Sequence, residues 1–312
     1  MGSPLALRTG TATAGQLAAW SRAALDVPLA KPELWVHEVS TPALVLGAFE
    51  RGAGQPKDWP LVRRGSGGPS VLVGPGTVHV ALLLAHPAEL TPCPPGKIVN
   101  RYVRPLLRAL TRLGATAHYF GRDWVSVMHR PAAWVGFAHD AGSRRSLVEA
   151  FVAVHAPFAV AARPSFLGKE PGTLARITGR SIAETQVVDA IAEDYARAYG
   201  LDPVASRAMP PAIGEVDLVA DVPWRATADE AIGTLGAGPD GEGVFRLGGA
   251  LLASRDAVAE VEARAAAVGP DEGELGRMLN EVFTAPGVAL DGVRSLETVR
   301  DLLVRALSPQ GP

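Results

Sequence analysis

The chain has 312 residues, of which 47% are apolar and 20% are charged, and its formal net charge is −2. This length and composition predict a folded, soluble protein of about two domains and exclude a disordered chain. A net charge so close to zero also argues against a nucleic-acid partner.

The cysteine count and the hydropathy indicate a cytoplasmic protein. Cys93 is the only cysteine, so the chain can form neither an intramolecular disulfide framework nor a cysteine-rich metal site, which fits a reducing compartment. Residues 1–15 contain no apolar signal-peptide core, and no segment has 18 or more uninterrupted apolar residues. We therefore expect no membrane span, no metal site and a monomer.

Apolar spacing and turn residues predict the elements of the first two thirds of the chain. In the helix over Ile98–Leu113, Pro105 predicts a kink or a late start. In the next helix, Ser181 and Glu184 have the spacing of a capping box. In chain order, the predicted elements are a helix over Thr13–Leu25, strands at Leu34–Val36 and Thr41–Gly47, the helix over Ile98–Leu113, strands at Thr116–Phe120, Trp124–Met128 and Ala132–Phe137, and a helix from Ser181 to Gly200.

The composition changes at Ala226, where Gly, Ala, Asp and Glu become frequent. Gly236–Gly243 predicts a flexible, turn-rich piece, and Val244–Leu252 a strand pair. Helices are predicted over Asp256–Val268, Glu274–Phe283 and Ser295–Leu307. The pattern as a whole predicts an α+β fold, with a mixed β-sheet and flanking helices over 1–225 and a smaller, separate α+β unit over 226–312.

The stretch from Leu61 to Leu84 is the most informative part of the sequence. It is predicted to be an antiparallel unit of strands that fold back through glycine-containing turns and pack in one sheet with the strands after Thr116. Gly67 and Gly68 carry no Cβ, so a ligand can approach their N–H groups while the neighbouring arginines supply positive charge. The stretch therefore fits a site for a carboxylate or a phosphate, or else a hairpin whose arginines face water.

This stretch resembles the RRxSGGGAVYHDxGN signature of lipoate–protein ligase A, in the biotin and lipoate ligase superfamily. The matching residues are Arg63, Arg64, Ser66, Gly67 and Gly68. Pro69 replaces the third glycine, and Gly74–Thr77 replaces the HDxGN turn with a Gly-Pro-Gly turn closer to the octanoyltransferase branch. The resemblance implies the class II biotin/lipoate ligase fold and a small C-terminal accessory domain.

Further segments extend the resemblance along the chain. Gly121–Trp124 is similar to the family's GRNDI segment, Val135–Ala138 to the end of its KisGsA segment, and His155–Phe158 to its HGTLL strand. The resemblance implies a catalytic role for Asp123. It implies a substrate-binding role for Arg63, Arg64, Ser66, Gly67, Gly68, Gly76, Thr77, Gly136 and His155.

The family lysine is missing. It lies three residues before the glycine of its segment, and counting back from Gly136 reaches Ala133. An alanine cannot supply the charge that neutralises the carboxylate and the α-phosphate during adenylation. Arg130 is the candidate substitute, although a guanidinium is larger and does not deprotonate.

The resemblance leaves three functions open. The first is an ATP- and Mg²⁺-dependent ligase that activates lipoate or octanoate and transfers it to a lysine of a lipoyl carrier domain, in an E2 subunit or a protein like the glycine cleavage H protein. The second is a non-catalytic pseudo-ligase that binds acyl groups or carrier domains as a regulatory partner. The third is a cofactor-independent acyltransferase with an unrecognised nucleophile.

Overall fold

The computed structural model describes residues 5–56, 58–121, 123–156, 168–200 and 222–309. No helix in these ranges is long and apolar enough to cross a membrane. The strands are β1 (Ala6–Ala12), β2 (Glu33–Val39), β3 (Ala43–Leu46), β4 (Leu61–Arg63), β5 (Val71–Val73), β6 (Thr77–Leu84), β7 (Ala117–Tyr119), β8 (Trp124–Val127), β9 (Arg130–His139), β10 (Ser146–Ala153), β11 (Ala226–Glu230), β12 (Gly233–Pro239), β13 (Phe245–Gly249), β14 (Leu252–Ala253) and β15 (Leu290–Asp291). The helices are α1 (Ala14–Ala23), α2 (Ile98–Tyr102), α3 (Arg104–Arg112), α4 (Leu174–Thr178), α5 (Glu184–Tyr199), α6 (Arg255–Val268), α7 (Glu272–Phe283) and α8 (Leu296–Leu307).

A seven-stranded sheet in the order β1-β2-β6-β10-β9-β8-β7 forms the centre of the molecule. β1 and β2 are parallel, and the other neighbours are antiparallel. Helices α2, α3 and α5 cover one face, where Tyr102, Leu106 and Ile191 are buried in the main core. The predicted α+β fold with a mixed, helix-flanked sheet is therefore confirmed.

The opposite face of this sheet packs against α1 and a three-stranded sheet in the order β4-β3-β5. Helix α1 begins with a capping box, in which Thr13 Oγ1 accepts from the N–H of Gln16 at 3.1 Å. Trp20 of α1 lies on Trp35 of β2, with ring centroids 4.4 Å apart. These contacts hold α1 directly above the polar centre described below.

The predicted antiparallel unit over Leu61–Leu84 is wrong in its pairing. β4 pairs parallel with β3, β5 pairs antiparallel with β3, and β6 joins the large sheet between β2 and β10. The reason is tertiary: the side chain of Arg64 bonds to Val45 of β3 and to two carbonyls of its own loop. The loop therefore stays open, and the Gly74–Gly76 turn carries the chain from one sheet to the other.

The helix predicted over Ile98–Leu113 is divided at Val103 into α2 and α3, with Pro105 in the first turn of α3, so the predicted kink is confirmed. The capping box predicted from Ser181 and Glu184 is wrong. Helix α5 begins at Glu184, and the Gln186 side chain accepts from the N–H of Ala183 at 2.9 Å. Ser181 and the buried Ile182 both precede the N-cap residue Ala183, so Ser181 lies too early in the chain to cap the helix.

The last part of the described chain has a sheet of β11, β12 and β13, three helices and a hydrophobic cluster of its own. The flexible piece predicted at Gly236–Gly243 is wrong in its first half, because β12 extends to Pro239. A Cβ at Gly236 would collide with the ring of Trp224, so this glycine permits close packing in a strand. A domain border near residue 225 stays a prediction.

Candidate functional site

The loop from Arg64 to Ser70 connects β4 to β5 and lies on β9. The N–H of Gly67 donates to the carbonyl of Phe137 at 3.0 Å. A Cβ on Gly136 would lie 2.9 Å from the carbonyl oxygen of Gly67, so a side chain there would push the loop off the strand. Gly68 has a φ of +90°, which favours glycine. The glycines therefore bring loop and strand into direct backbone contact.

Arg64 is the first residue of this loop, and its side chain is fully buried. Its Cζ atom is 3.8 Å from the ring centroid of Trp134, so the guanidinium lies on the indole. The hydrogen bonds of Arg64 are from Nε to Ser66 Oγ at 3.0 Å, from Nη1 to the carbonyl of Val45 at 2.9 Å, and from Nη2 to the carbonyls of Gly67 at 3.0 Å and Pro69 at 2.8 Å. All three nitrogens of the guanidinium thus donate to protein acceptors.

A buried carboxylate, Glu149 of β10, compensates this charge. Ser66 and Ser21 donate to its Oε2, the latter at 3.1 Å, and His79 Nε2 lies 2.7 Å from Oε1. Burial by itself raises the pKa of Glu149, but the hydrogen bond with His79, the charges of His79 and Arg64 and the bond from Ser66 leave that pKa below its usual value. The carboxylate is therefore an anionic anchor for the loop.

His37 on β2 lies opposite His79 on β6 and is also fully buried. Neither of its ring nitrogens has a hydrogen-bond partner among the described residues. Burial, and then the charge of His79, lower the pKa of His37 to about 3. His37 is thus neutral at physiological pH.

The last third of the chain contacts the same loop. The N–H of Gly68 donates to the carbonyl of Leu251 at 2.8 Å, and a Cβ on Gly67 would collide with that carbonyl. The N–H of Gly249 donates to the carbonyl of Phe49 at 2.8 Å. Both glycine N–H groups that the sequence offered for an anion therefore bond to protein carbonyls.

Comparison of the structure with solved structures identifies the fold of the chain. No protein-family model and no curated protein matches the chain. Solved structures do match. A bi-partite lipoate protein ligase from Thermoplasma acidophilum aligns at a TM-score of 0.53 with 14% identity, covering 66% of this chain and 87% of that one. The chain has the lipoate–protein ligase fold.

Two further structures support the same fold. A lipoate-protein ligase A bound with ATP aligns at a TM-score of 0.53 with 15% identity, over 66% of this chain and 89% of that one. A putative lipoate protein ligase from T. acidophilum with bound lipoic acid aligns at 0.53 with 14% identity, over 67% and 90%. Identities this low establish the fold alone.

Within this ligase fold, position 133 does not face the loop. Ala133 packs in the main hydrophobic cluster with Val125 and Val152, whereas Trp134 belongs to the cluster on the other face. Side chains alternate between the faces of a strand, so Trp134 and Gly136 face the loop and Ala133 does not. Arg130, at the start of β9, pairs with Glu170 at 3.3 Å and is 43% exposed.

The remaining residues predicted from the sequence lie in two places. Asp123 is buried just before β8, and its backbone carbonyl accepts from the N–H of Val135 at 2.8 Å. Gly76, Thr77 and His155 meet at the start of β6, where the carbonyl of Gly76 accepts from the N–H of His155 at 3.0 Å. The structure thus gathers Arg64, Ser66, Gly67, Gly68 and Gly136 in one centre and places Gly76, Thr77 and His155 in another. Pro157 and Phe158 of the HGTLL-like segment lie outside the described residues.

Arg63 faces a cavity that lies outside the buried contact between Arg64 and Trp134. A cavity of about 590 Å³ opens between α1, the loop and the start of α6. It is lined by Ala19, Arg22, Ala23, Asp26, Ala48, Phe49, Arg63, Arg64, Gly65 and Arg255. Arg63 Nη1 also bonds to the carbonyls of Glu50 and, at 3.4 Å, of Gly47. The cavity combines an apolar floor with several guanidinium groups.

The sequence analysis missed Trp134, Glu149 and Ser21. Trp134 lies between position 133, which corresponds to the family lysine, and Gly136. Its large side chain so close to both positions could have indicated that it fills the space at this loop. Glu149 is the only charged residue in the β10 run SLVEAFVA, and a lone carboxylate in a buried strand needs partners. Ser21 on α1 carried no such signal.

Proposed function

We propose that this chain uses the lipoate–protein ligase fold to bind lipoyl carrier domains without forming an acyl-adenylate. The observation that carries the proposal is the packing of Trp134 on the buried guanidinium of Arg64, 3.8 Å from Cζ to the ring centroid. An incoming carboxylate or phosphate meets an arginine whose hydrogen bonds are already made.

The energetic cost of exposing this arginine supports the proposal. Each of the four hydrogen bonds described above has a charged donor, and such bonds contribute roughly 1.5–3 kcal/mol each. A desolvated cation–π contact adds about 2 kcal/mol. The N–H groups of Gly67 and Gly68 are bonded to Phe137 and Leu251. This arrangement of residues does not fit ATP or an acyl-adenylate.

The absence of a charge from position 133 supports the same conclusion. Loss of one preorganised electrostatic contact typically lowers a rate by about 10²–10³. Arg130 pairs with Glu170 instead. A lysine introduced at 133 enters the main core rather than the loop, so this single change does not restore the charge.

The proposed partner comes from the structural neighbours. The archaeal ligase above belongs to a lipoylation system together with an E2 lipoyl domain. For this chain we propose the same class of partner, a carrier domain of an E2 subunit or of a protein like the glycine cleavage H protein. The cavity beside Arg63 suits this role, because Ala19, Ala23 and Phe49 provide apolar contact and Arg22 provides charge.

Ligase activity is the second candidate, and the retention of the Arg63–Gly68 loop on Gly136 favours it. In that case lipoate or octanoate, ATP and Mg²⁺ are the ligands. Of the structural neighbours, one has ATP bound and another has lipoic acid bound. This activity requires Trp134 to leave Arg64 before an anion binds.

Two measurements separate these candidates. A lipoyl domain is incubated with the protein, ATP, Mg²⁺ and lipoate or octanoate, and its mass and the released pyrophosphate are followed. We expect no added acyl mass and pyrophosphate release at background. Calorimetry with the same domain should show saturable binding.

A variant pair tests where the carrier binds. Arg22→Glu reverses a charge in the cavity and should weaken carrier binding about tenfold, or about 1.4 kcal/mol. Arg277→Glu reverses an exposed charge on α7, outside that cavity, and should change binding little. Acylation of the carrier at an ordinary enzymatic rate would establish the ligase instead, and absence of carrier binding would overturn the proposal.

A further inference from the structure

Three arginines form a row on the face of the molecule away from the loop. Arg101 lies in α2, and Arg104 and Arg108 lie in α3; all three are exposed. They surround a cavity of about 210 Å³. The cavity is completed by Thr91, Ala198 and Tyr199. Because α3 and α5 cover the sheet face opposite α1, this cavity is separate from the Arg64 loop and independent of the proposed function.

The row differs from the next arginine along the same helix. Arg112 bonds to Asp194 at 2.7 Å and to Glu193 at 3.0 Å. Within the part of the chain that the structure describes, Arg101, Arg104 and Arg108 have no carboxylate partner. Like charges three or four residues apart destabilise a helix by about 0.2–0.5 kcal/mol per pair. An arrangement with this cost is explained if an anion occupies the centre of the row.

Tyr199 lines the same cavity as the three arginines. Burial raises the pKa of Tyr199 to about 12, and the charges of Arg108, Arg104 and Arg101 act in the opposite direction. The C-terminal end of α5 carries only about half a negative charge from its dipole, so it leaves most of the positive charge uncompensated.

We propose that this cavity binds a compact phosphate monoester. A phosphoryl group carries about −1.5 to −2 charges at pH 7 and has three strong acceptor oxygens, which match three guanidinium groups better than a single carboxylate does. The hydroxyls of Thr91 and Tyr199 add two uncharged donors. A cavity of about 210 Å³ lies below the roughly 300 Å³ at which pockets for drug-sized ligands begin, so the attached organic group is small.

Calorimetry on the full chain tests the proposal with three probes. Inorganic phosphate and glycerol 3-phosphate represent a free metabolite, and a phosphoserine peptide represents a protein-borne phosphoryl group. We expect saturable binding of glycerol 3-phosphate. Tighter binding of the peptide would overturn the choice of a small metabolite.

The variants separate a built site from diffuse attraction. Arg104→Gln and Arg108→Gln should each weaken binding about tenfold, since each removes a charged hydrogen-bond donor. Tyr199→Phe keeps every charge and should still weaken binding about threefold or more. Arg277→Gln is the control for lost surface charge and should leave binding unchanged. Circular dichroism and thermal unfolding check that each variant is folded.

Three results would overturn the proposal. The first is no saturable binding of glycerol 3-phosphate up to about 10 mM, a concentration that corresponds to a very weak complex. The second is an Arg277→Gln variant that loses as much affinity as Arg108→Gln. The third is a folded Tyr199→Phe variant that binds as tightly as the unchanged protein.

Discussion

At the residue scale, the centre of the molecule is a compensated pair of buried charges. Arg64 and Glu149 are both fully buried and both contact Ser66. A buried charge is tolerated only with a partner and with hydrogen bonds to its remaining atoms, and here serines and His79 complete the set. Such a network holds the loop in one position.

The first prediction concerns Glu149→Gln. The change removes the negative charge opposite Arg64 and His79 and leaves both without compensation. We expect a loss of roughly 3–5 kcal/mol in the free energy of unfolding, the usual cost of breaking a buried pair. Denaturant unfolding measures it. The control is Glu193→Gln, whose carboxylate is 60% exposed and should matter by less than about 1 kcal/mol. Equal effects of the two changes would contradict the buried network.

The second prediction concerns acid stability. The pKa of His37 is about 3 in the folded chain, below its value of about 6.5 in an unfolded one. The unfolded state therefore binds more protons between these two values, and stability should fall as the pH decreases from about 6.5 to about 3. The carboxyl of Glu149, whose folded pKa is also lowered, adds to the loss below its unfolded pKa.

The size of the acid effect follows from the shift. Each pKa unit corresponds to 1.36 kcal/mol, so His37 contributes about 3–5 kcal/mol between pH 7 and pH 3. Urea unfolding at a series of pH values measures it. His37→Leu should make the curve shallower above pH 5, where Glu149 remains ionised; His139, whose pKa burial also lowers, accounts for part of the slope that remains. An unchanged slope in that variant would show that another group titrates.

At the scale of elements, the position of the loop depends on strand alternation in β9. Trp134 and Gly136 face the loop, while Ala133 packs in the main core. A tryptophan and a residue without a side chain therefore lie under the same loop, and the indole of Trp134 fills the space above Gly136. The contact between the loop and β9 therefore depends on the identity of these two residues.

The third prediction compares two glycines. A Cβ on Gly67 would collide with the carbonyl of Leu251 and lie 3.3 Å from the ring of Phe49, so Gly67→Ala should destabilise the protein by roughly 1–3 kcal/mol. Nothing lies within 4 Å of a Cβ on Gly96, so Gly96→Ala should be neutral or slightly stabilising. Thermal unfolding measures both. A harmless Gly67→Ala would mean that the last third of the chain does not rest on the loop.

At the scale of the whole molecule, the two parts of the chain share several hydrogen bonds. Leu251 bonds to the loop, His139 of β9 lies 3.0 Å from the carbonyl of Gly287, and Arg255 pairs with Asp26 at 2.9 Å. The last part has a hydrophobic cluster of its own, but it also contributes Ile232, Ala250, Leu252 and Ala289 to the main cluster. These contacts cross the predicted border between residues 225 and 226, and unfolding experiments can test whether the two parts unfold separately.

The fourth prediction is a single cooperative unfolding transition. Leu252 packs in the main cluster and Leu251 in the cluster of the last third, so loss of one part exposes apolar surface of the other. Calorimetry should give equal calorimetric and van't Hoff enthalpies. Two resolved transitions would show instead that 1–225 and 226–312 unfold independently. In Gly67→Ala, where the contact is weakened, we expect the transition to broaden.

The sequence by itself determined most elements, because apolar periodicity and turn residues are local properties, and the resemblance to the ligase signature implied the fold class. The sequence predicted a kink or a late start caused by Pro105, and the structure divides the helix at Val103. It also predicted the helices after residue 254, with ends that differ by two residues or fewer. It also identified Arg64, Ser66, Gly67, Gly68 and Gly136, which the structure gathers in one centre.

Only the tertiary structure decided how these residues are used. Strand pairing depends on contacts between distant segments, so β4 and β5 on either side of β3 were not visible in a local glycine pattern. Arg64 lies against Trp134, its charge is compensated by Glu149, and its loop contacts Leu251; these residues come from segments far apart in the chain. Because a guanidinium can bind a ligand or a protein acceptor equally well, its partners in space, and not its motif, determine what it does.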